Sequence, residues 1–144
     1  MKQVLSVSIG SSKRDHSVEV DLLGERVHIW REGTDGDMAA AAAKLRAYDG
    51  AVDAFGIGGL DLFLNAADRT YWFRAAKRFR DAVQMTPLLD GSGLKGAAEA
   101  DVVRFMQEDL GLEVAGKRVL VTSAVDRWGM AMAFADAGCR MTYA

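Results

Sequence analysis

The fold class is decided by residues 90–143, DGSGLKGAAEADVVRFMQEDLGLEVAGKRVLVTSAVDRWGMAMAFADAGCRMTY. Within this stretch, the apolar run RVLVT at 118–122 follows Gly116, a residue type that ends helices, and predicts a buried strand. The spacing of apolar residues over 130–137 predicts a helix after it, and residues 139–143 predict another strand. A strand, a loop, a helix and a strand in this order are typical of the start of a dinucleotide-binding unit.

The residues before this stretch alternate between apolar and polar positions, as strands with one buried face do. Two such runs, 16–23 and 26–31, are separated by Gly24-Glu25 and predict a β-hairpin. The predicted elements are strands at 2–9, 16–23, 26–31, 52–57 and 88–89, a hairpin of 60–64 with 70–73, and helices at 38–48, 74–83 and about 94–110. The sequence therefore predicts an α/β fold with a mixed sheet and an N-terminal β-hairpin flanked by helices, followed by the strand-helix-strand described above.

Composition limits the functional classes. The chain has 144 residues, 50% of them hydrophobic, which is enough for the core of one domain or slightly more. Its net charge of −2 argues against nucleic acid or an anionic membrane as the main partner. A single cysteine, no leader-like segment and no apolar run of about 20 residues predict a cytoplasmic protein. His16 and His28 have no partner at ligand spacing, so no metal site is expected.

Several motifs carry a resemblance to a known family. DGSGLKGAAE at 90–99, followed by GKRVLV at 116–121, resembles the junction between the two domains of shikimate and quinate 5-dehydrogenases. VSIGSSKRDH, DAFGIGGLDLFL and TPLLDGSGLK are similar to the N-terminal part of bacterial quinate 5-dehydrogenase-like proteins. The resemblance implies a substrate-side α/β domain at 1–112 and the start of a Rossmann-like dinucleotide-binding domain at 113–144, truncated after its second strand. It also implies NAD(P)-linked oxidation of a cyclic polyol acid.

The resemblance assigns catalytic roles to Asp90 and Lys95. Asp90 stands where the family has the aspartate of an Asn-Thr-Asp-Gly motif, and oxidation of a secondary alcohol needs a base to take the hydroxyl proton. Lys95 is the nearest ammonium in the sequence. The alternative is that Asp90 stabilises its glycine-rich turn by accepting hydrogen bonds from nearby backbone N–H groups.

A polar loop after the first predicted strand is a candidate receptor for a carboxylate or phosphate. It contains hydroxyl groups, backbone N–H groups and cations, which are the donors that bind anions. The candidate substrate-binding residues there are Ser11, Ser12 and Lys13. A solvated loop with no ligand is the alternative.

A second glycine-rich segment, GIGGLD at 56–61, follows the strand predicted at 52–57. Glycines at this position permit the close approach of either a ligand or a neighbouring strand, and the sequence leaves both open. Gly58 and Gly59 are therefore candidate substrate-binding residues, and the Asp61 carboxylate is a candidate acceptor for polyol hydroxyls.

The loop after the strand at 118–122 is the expected cofactor site. The candidate cofactor-binding residues are Thr122, Ser123, Asp126, Arg127 and Gly129. Hydroxyls, a cation and a helix N-terminus attract phosphate, but Val125 and Trp128 occupy positions where glycines normally let the backbone approach a pyrophosphate. NAD or NADP is therefore expected in a full-length form, and weak or no binding is expected in this chain.

Two expectations concern packing. The helix at about 94–110 is expected to bury Val102, Phe105 and Leu110. The cations of the helix at 74–83 are expected to be solvated, and the aromatic residues at 71–73 and 79 to lie in the core, which argues against binding of single-stranded nucleic acid.

The features described above also predict which ligand and which partner chain this protein binds. The expected ligand is a small carboxylate or polyol, with neither nucleic acid nor membrane as a partner. The strand at 139–143 has no successor to cover it, so a homodimer is expected through its edge. Whether the chain is an enzyme stays open, because a non-enzymatic small-anion-binding or assembly module on a degenerate dehydrogenase scaffold is the alternative.

Overall fold

The computed structural model describes all 144 residues, and the chain divides into two compact units. Unit 1 comprises Met1–Leu62 and Trp72–Asp90, and unit 2 comprises Phe63–Tyr71 and Gly91–Ala144. The strands are β1 Lys2–Ser8, β2 Ser17–Leu22, β3 Glu25–Gly33, β4 Ala54–Gly58, β5 Phe63–Ala66, β6 Arg69–Trp72, β7 Leu88–Leu89, β8 Arg118–Val121 and β9 Arg140–Tyr143. The helices are α1 Met38–Tyr48, α2 Lys77–Arg80, α3 Ser92–Glu108 and α4 Trp128–Asp136. The predicted domains at 1–112 and 113–144 stay a prediction.

Unit 1 is built on a five-stranded sheet in the order β2-β3-β1-β4-β7. Strand β1 pairs in parallel with β3 and β4, β4 pairs in parallel with β7, and β2 is antiparallel to β3. The predicted α/β class with a mixed sheet is therefore confirmed. Leu5 and Val7 of the central β1 are fully buried, and they share the core with Phe55 of β4 and Leu45 of α1.

The predicted N-terminal hairpin is formed by β2 and β3. The turn lies one position earlier than the predicted Gly24-Glu25, because Glu25 pairs with Leu22 as the first residue of β3. The two turn residues, Leu23 and Gly24, have φ angles of 51° and 82°. Positive φ at both positions gives the turn a twist that matches the twist of antiparallel strands. The predicted helix at 38–48 is also confirmed, since Asp37 accepts hydrogen bonds from the N–H groups of Ala39 and Ala40 and caps α1.

Asp49, at the end of α1, positions the segment that leads into β7. Its carboxylate accepts hydrogen bonds from the backbone N–H groups of Gln84, Met85 and Thr86, at 2.7, 3.1 and 2.9 Å. Partial burial on its own raises the pKa of Asp49, but these hydrogen bonds lower it further than burial raises it. The Thr86 hydroxyl in turn accepts the N–H of Gly50 at 2.7 Å. These bonds hold the start of β7 against α1.

Unit 2 contains β5, β6 up to Tyr71, α3, and the consecutive elements β8, α4 and β9. Strands β8 and β9 are parallel, in a register that pairs Val119 with Met141. Val121, Ala124 and Ala131 form the buried core, and Val119 and Met141 pack against it. The order strand, helix, strand is the one that the sequence predicts for residues 118–143, and the Rossmann-like assignment stays a prediction.

The prediction of a helix over 74–83 is wrong in length, because only the four residues of α2 are helical. On both sides of α2 the backbone N–H groups bond to the carbonyl three residues earlier, as in Ala76 to Phe73 and Ala82 to Phe79. This tighter pattern ends an α-helix. Phe79 is fully buried as predicted, but the expectation that residues 71–73 lie in the core is wrong, since all three are 40–53% exposed.

The packed face of α3 also differs from the predicted one. Val102, Phe105 and Leu110 are each at least half exposed, whereas Glu99 and Val103 are the buried residues of the helix. On the buried side of α3, Lys95 and Glu99 pair with Asp126 and Arg127 of the loop before α4. Among all four helices, none combines the length and the apolar character needed to cross a membrane.

Candidate functional site

A cleft of about 570 Å³ lies in unit 1, where β4 and β7 end. Ligands of open α/β sheets bind outside the carboxyl ends of parallel strands, and β4 and β7 are parallel neighbours. The cleft is lined by Ile57, Gly58, Gly59, Leu60, Asp61, Phe73 and Asp90. The structure thus brings together four of the residues that the sequence singles out: Gly58, Gly59, Asp61 and Asp90.

Asp90 organises one wall of this cleft. It follows β7 directly, and its Oδ2 accepts a hydrogen bond from the N–H of Leu62 at 2.6 Å. The Leu62 carbonyl accepts the N–H of Phe73 at 3.1 Å, and the Leu62 side chain is buried. One carboxylate oxygen therefore holds the segment that carries both Asp61 and Phe73. Asp90 therefore has a stabilising role through Leu62, 28 positions away, and the predicted bonds to backbone N–H groups two residues on stay a prediction.

Gly58 and Gly59 are required by a neighbouring strand. A Cβ on Gly58 would lie 2.9 Å from the Ser8 hydroxyl oxygen, and one on Gly59 would lie 2.8 Å from the Ile9 side chain. Gly59 also has a φ of 78°, which favours glycine. Of the two explanations left open by the sequence, close packing against β1 accounts for both glycines, while their backbone also lines the cleft.

The Ser12 and Lys13 donors of the loop at 11–13 form hydrogen bonds within the protein. The Ser12 N–H and hydroxyl donate to the two carboxylate oxygens of Asp35, at 2.9 and 2.6 Å. These hydrogen bonds, from the hydroxyl first and the N–H second, lower the pKa of Asp35. The Ser11 hydroxyl accepts the Lys13 N–H at 3.3 Å. The predicted anion receptor therefore holds an internal carboxylate, and none of these three loop residues is among the residues lining the cleft.

Lys95 and Asp90 belong to different units, and Lys95 is engaged within unit 2. Lys95 Nζ donates to Asp126 Oδ1 at 2.9 Å, and both side chains are mostly buried. One turn later on α3, the buried Glu99 accepts a hydrogen bond from Arg127. Two successive ion pairs thus connect α3 to the loop before α4.

This loop is the expected dinucleotide site, and its residues do not fit a pyrophosphate. Asp126 and Arg127 form ion pairs with Lys95 and Glu99 of α3. Asp126 also places a negative charge where a negatively charged pyrophosphate would bind. Gly129 serves close packing, because a Cβ there would lie 3.4 Å from the carbonyl oxygen of Gly96. Thr122 and Ser123 are exposed, and Ser123 has a φ of 55°. Val125 and Trp128 stand where glycines would let the backbone approach a pyrophosphate.

Sequence reasoning missed three residues of these sites. Phe73 was assigned to the core, although the neighbouring Arg74 signalled the end of a strand at the surface. Asp35 has no local signal that joins it to Ser12, 23 positions away. Nothing near Glu99 in the sequence indicates that this charged residue of α3 is buried. No group of three or more His, Cys, Asp or Glu side chains is arranged to hold a metal ion.

Comparison with known proteins identifies two families by sequence. Residues 3–90 match a family described as Domain of unknown function (DUF8753), and residues 93–144 match one described as Domain of unknown function (DUF8754). No curated protein and no solved structure matches the chain. Because the first match covers more than half of the sequence, including every residue that lines the cleft, the chain belongs to the DUF8753 family.

Proposed function

We propose that this protein binds a cyclic polyol in the cleft of unit 1, as the substrate-side part of a quinate/shikimate 5-dehydrogenase-like oxidoreductase. The observation that carries the proposal is the position of Asp90, which follows a parallel strand and lines a cleft together with Asp61. A polyol has hydroxyl protons to donate, and two carboxylates are strong acceptors for them. The size of the cleft also suits a small cyclic molecule.

The chemistry assigned to Asp90 is proton acceptance. An alcohol that is oxidised loses its hydroxyl proton as well as a hydride, so a carboxylate beside the hydroxyl assists the reaction. Asp90 Oδ2 is held by the Leu62 N–H, which fixes the orientation of the carboxylate plane. The role of Lys95 as a partner of Asp90 stays a proposal that rests on the family resemblance.

A nicotinamide cofactor would supply the hydride acceptor, and we propose that this chain holds NAD or NADP weakly or not at all. The resemblance places that cofactor at the start of a Rossmann-like unit formed by β8, α4 and β9. The parallel pairing of β8 with β9 supports the Rossmann-like assignment. The ion pairs of Asp126 and Arg127 with α3 oppose tight cofactor binding.

The second candidate is a non-enzymatic module that binds a small ligand. It is favoured by the poor fit of the loop before α4 to a pyrophosphate, since a scaffold without the cofactor keeps only the binding cleft. Both candidates place the ligand beside Asp90 and Asp61 and differ in whether oxidation follows.

A ligand panel separates the two candidates. Isothermal calorimetry with quinate, shikimate, a neutral cyclitol, NAD and NADP gives the affinities, and absorbance at the nicotinamide band gives the turnover. Oxidation that falls about a hundredfold in Asp90→Asn would support the oxidoreductase. Polyol binding without turnover would support the binding module, and the absence of any polyol binding would contradict both.

A further inference from the structure

We propose that Ser17 of β2 is a nucleophile that His28 of β3 activates, and that the pair hydrolyses small carboxylic esters. Neither residue lines the cleft described above, so this second site is distinct from the proposed polyol site. Both residues belong to unit 1, and the proposed chemistry follows from their contacts within its five-stranded sheet.

Three side chains form a hydrogen-bonded chain across β2, β3 and β1. Ser17 Oγ lies 2.7 Å from His28 Nε2, and His28 Nδ1 lies 2.8 Å from Gln3 Oε1. Because an amide oxygen only accepts hydrogen bonds, His28 Nδ1 carries the proton and donates it to Gln3. His28 Nε2 is then the acceptor of the Ser17 hydroxyl proton. This is the tautomer in which a histidine acts as general base for a serine nucleophile.

The sheet and a neighbouring indole hold the His28 ring in place. Gln3 is the partner of His28 in the register of β1 with β3, so both side chains project from the same face of the sheet. Trp30 stacks on His28 with ring centroids 4.9 Å apart and ring planes 15° apart. The face of an indole attracts a cation. The stack therefore also stabilises the imidazolium that forms when His28 takes a proton.

The position of β2 at the edge of the sheet makes Ser17 accessible and supplies a donor for the oxyanion. Ser17 is exposed, and β2 is the outermost strand. The Arg31 N–H donates to the His16 carbonyl, so the alternation of antiparallel strands turns the Ser17 backbone N–H away from β3. Serine hydrolases use the N–H of the nucleophile itself in the oxyanion hole. An ester carbonyl at this edge would therefore meet its hydrogen-bond donor and its nucleophile on one residue.

The proposed reaction is a double displacement with one acyl intermediate. Ser17 Oγ attacks the acyl carbon of the ester while its proton passes to His28 Nε2. The imidazolium gives this proton to the departing alkoxide, so an alcohol leaves and the acyl group stays on Ser17. Water then attacks the acyl group and loses a proton to His28, which returns a proton to Ser17 Oγ as the carboxylic acid leaves. One ester and one water give one alcohol and one acid.

A fluorophosphonate and p-nitrophenyl acetate are the two probes that test this site. The fluorophosphonate forms a covalent adduct with an activated serine and releases fluoride, and the acetate ester reports hydrolysis by absorbance. Trypsin cleaves after Arg14 and Arg26, and the peptide 15–26 between them has Ser17 as its only hydroxyl residue. Mass spectrometry of this peptide therefore locates the adduct. We expect an adduct on Ser17 in the folded chain, and none in the chain unfolded in urea or in Ser17→Ala.

Variants of the two partners measure what each contributes to the rate. His28→Ala is expected to slow labelling and ester hydrolysis about a hundredfold, as expected for the loss of a general base. His16→Ala is the matched control and is expected to change neither rate, because the His16 ring bonds to the Arg14 carbonyl. Gln3 is a positioning residue that acts through His28. Gln3→Leu is expected to slow both reactions about tenfold, the effect of one hydrogen bond on the barrier, whereas Gln3→Glu keeps an acceptor and is expected to retain the rates.

Three outcomes would overturn the proposal. The absence of an adduct on Ser17 in the folded wild-type chain does so without any variant. Equal labelling rates in the wild type and in a folded His28→Ala variant would show that His28 does not activate the serine. Ester hydrolysis at the wild-type rate in Ser17→Ala would show that the imidazole attacks the ester directly. Thermal melts establish which variants fold, and if His28→Ala does not fold, the comparison of Gln3→Leu with Gln3→Glu decides.

Discussion

Replacing Asp90 by alanine tests how much its hydrogen bond with the Leu62 N–H stabilises unit 1. The change removes the acceptor of the Leu62 N–H, in a segment whose Leu62 side chain is 4% exposed. A hydrogen bond to a charged acceptor contributes roughly 1.5–3 kcal/mol, and an N–H group left without an acceptor costs a similar amount. We therefore expect Asp90→Ala to lower the free energy of unfolding of unit 1 by about 2 kcal/mol. For a unit of this size, that loss corresponds to a fall in Tm of roughly 10 °C.

Asp90→Asn is the matched control, because its side-chain oxygen can still accept the Leu62 N–H without the charge. It is expected to cost about 1 kcal/mol or less. Urea unfolding is followed by tryptophan fluorescence in a Trp128→Phe background, because Trp128 lies in unit 2. The signal then reports on unit 1 through Trp72 and Trp30, which stacks on His28 with ring centroids 4.9 Å apart. Wild-type stability in Asp90→Ala would refute the assigned hydrogen bond. Equal losses in both variants would show that the charge, rather than the acceptor, stabilises the wall.

Gly59→Ala is expected to destabilise unit 1 by about 1–3 kcal/mol, because residue 59 has a positive φ and an added Cβ would clash with Ile9. Gly93→Ala is the control in thermal melts and is expected to be neutral or stabilising, because Gly93 lies on α3 with open space around it. Burial alone raises the pKa of Glu32, but hydrogen bonds from Lys44 and Trp30 lower it below its usual 4.5. The stability that Glu32 contributes is therefore present above pH 4.5 and is lost as the pH falls through the lowered pKa. The difference in Tm between the wild type and Glu32→Gln should therefore disappear in melts at acid pH. NAD and NADP are expected to bind no tighter than millimolar by calorimetry, and micromolar binding would contradict this. The chain is expected to form a homodimer through the edge of β9, and a strict monomer by light scattering at tens of micromolar would count against it.

Much of the fold follows from local sequence signals. Alternation of apolar residues predicts β1 and the β2-β3 hairpin, and the capping Asp37 with the alanine run predicts α1. The short β7 was located because Pro87 and the glycines after Asp90 bracket two leucines. These signals depend on residues a few positions apart, and such interactions are the ones that a sequence displays directly.

The features that the sequence did not predict depend on distant partners. The buried face of α3 was misassigned because Lys95 and Glu99 look solvated until Asp126 and Arg127, about 30 positions away, pair with them. The loop at 11–13 looked like an anion receptor because nothing near it in sequence indicates that Asp35 occupies it. The grouping of Gly58 and Gly59 with Asp90 follows from their positions at the ends of predicted strands, whereas the part of Phe73 in the same cleft has no local signal.

The most direct test of the account is a titration of the ¹⁵N-labelled chain with quinate, followed by amide chemical shifts. The account predicts saturable shifts at Gly58, Gly59, Asp61 and Phe73, which line the cleft of unit 1, and their loss in Phe73→Ala. Shifts confined to the loop at 122–129, or no saturable shift at the cleft at millimolar ligand, would contradict the claim that this cleft binds a polyol.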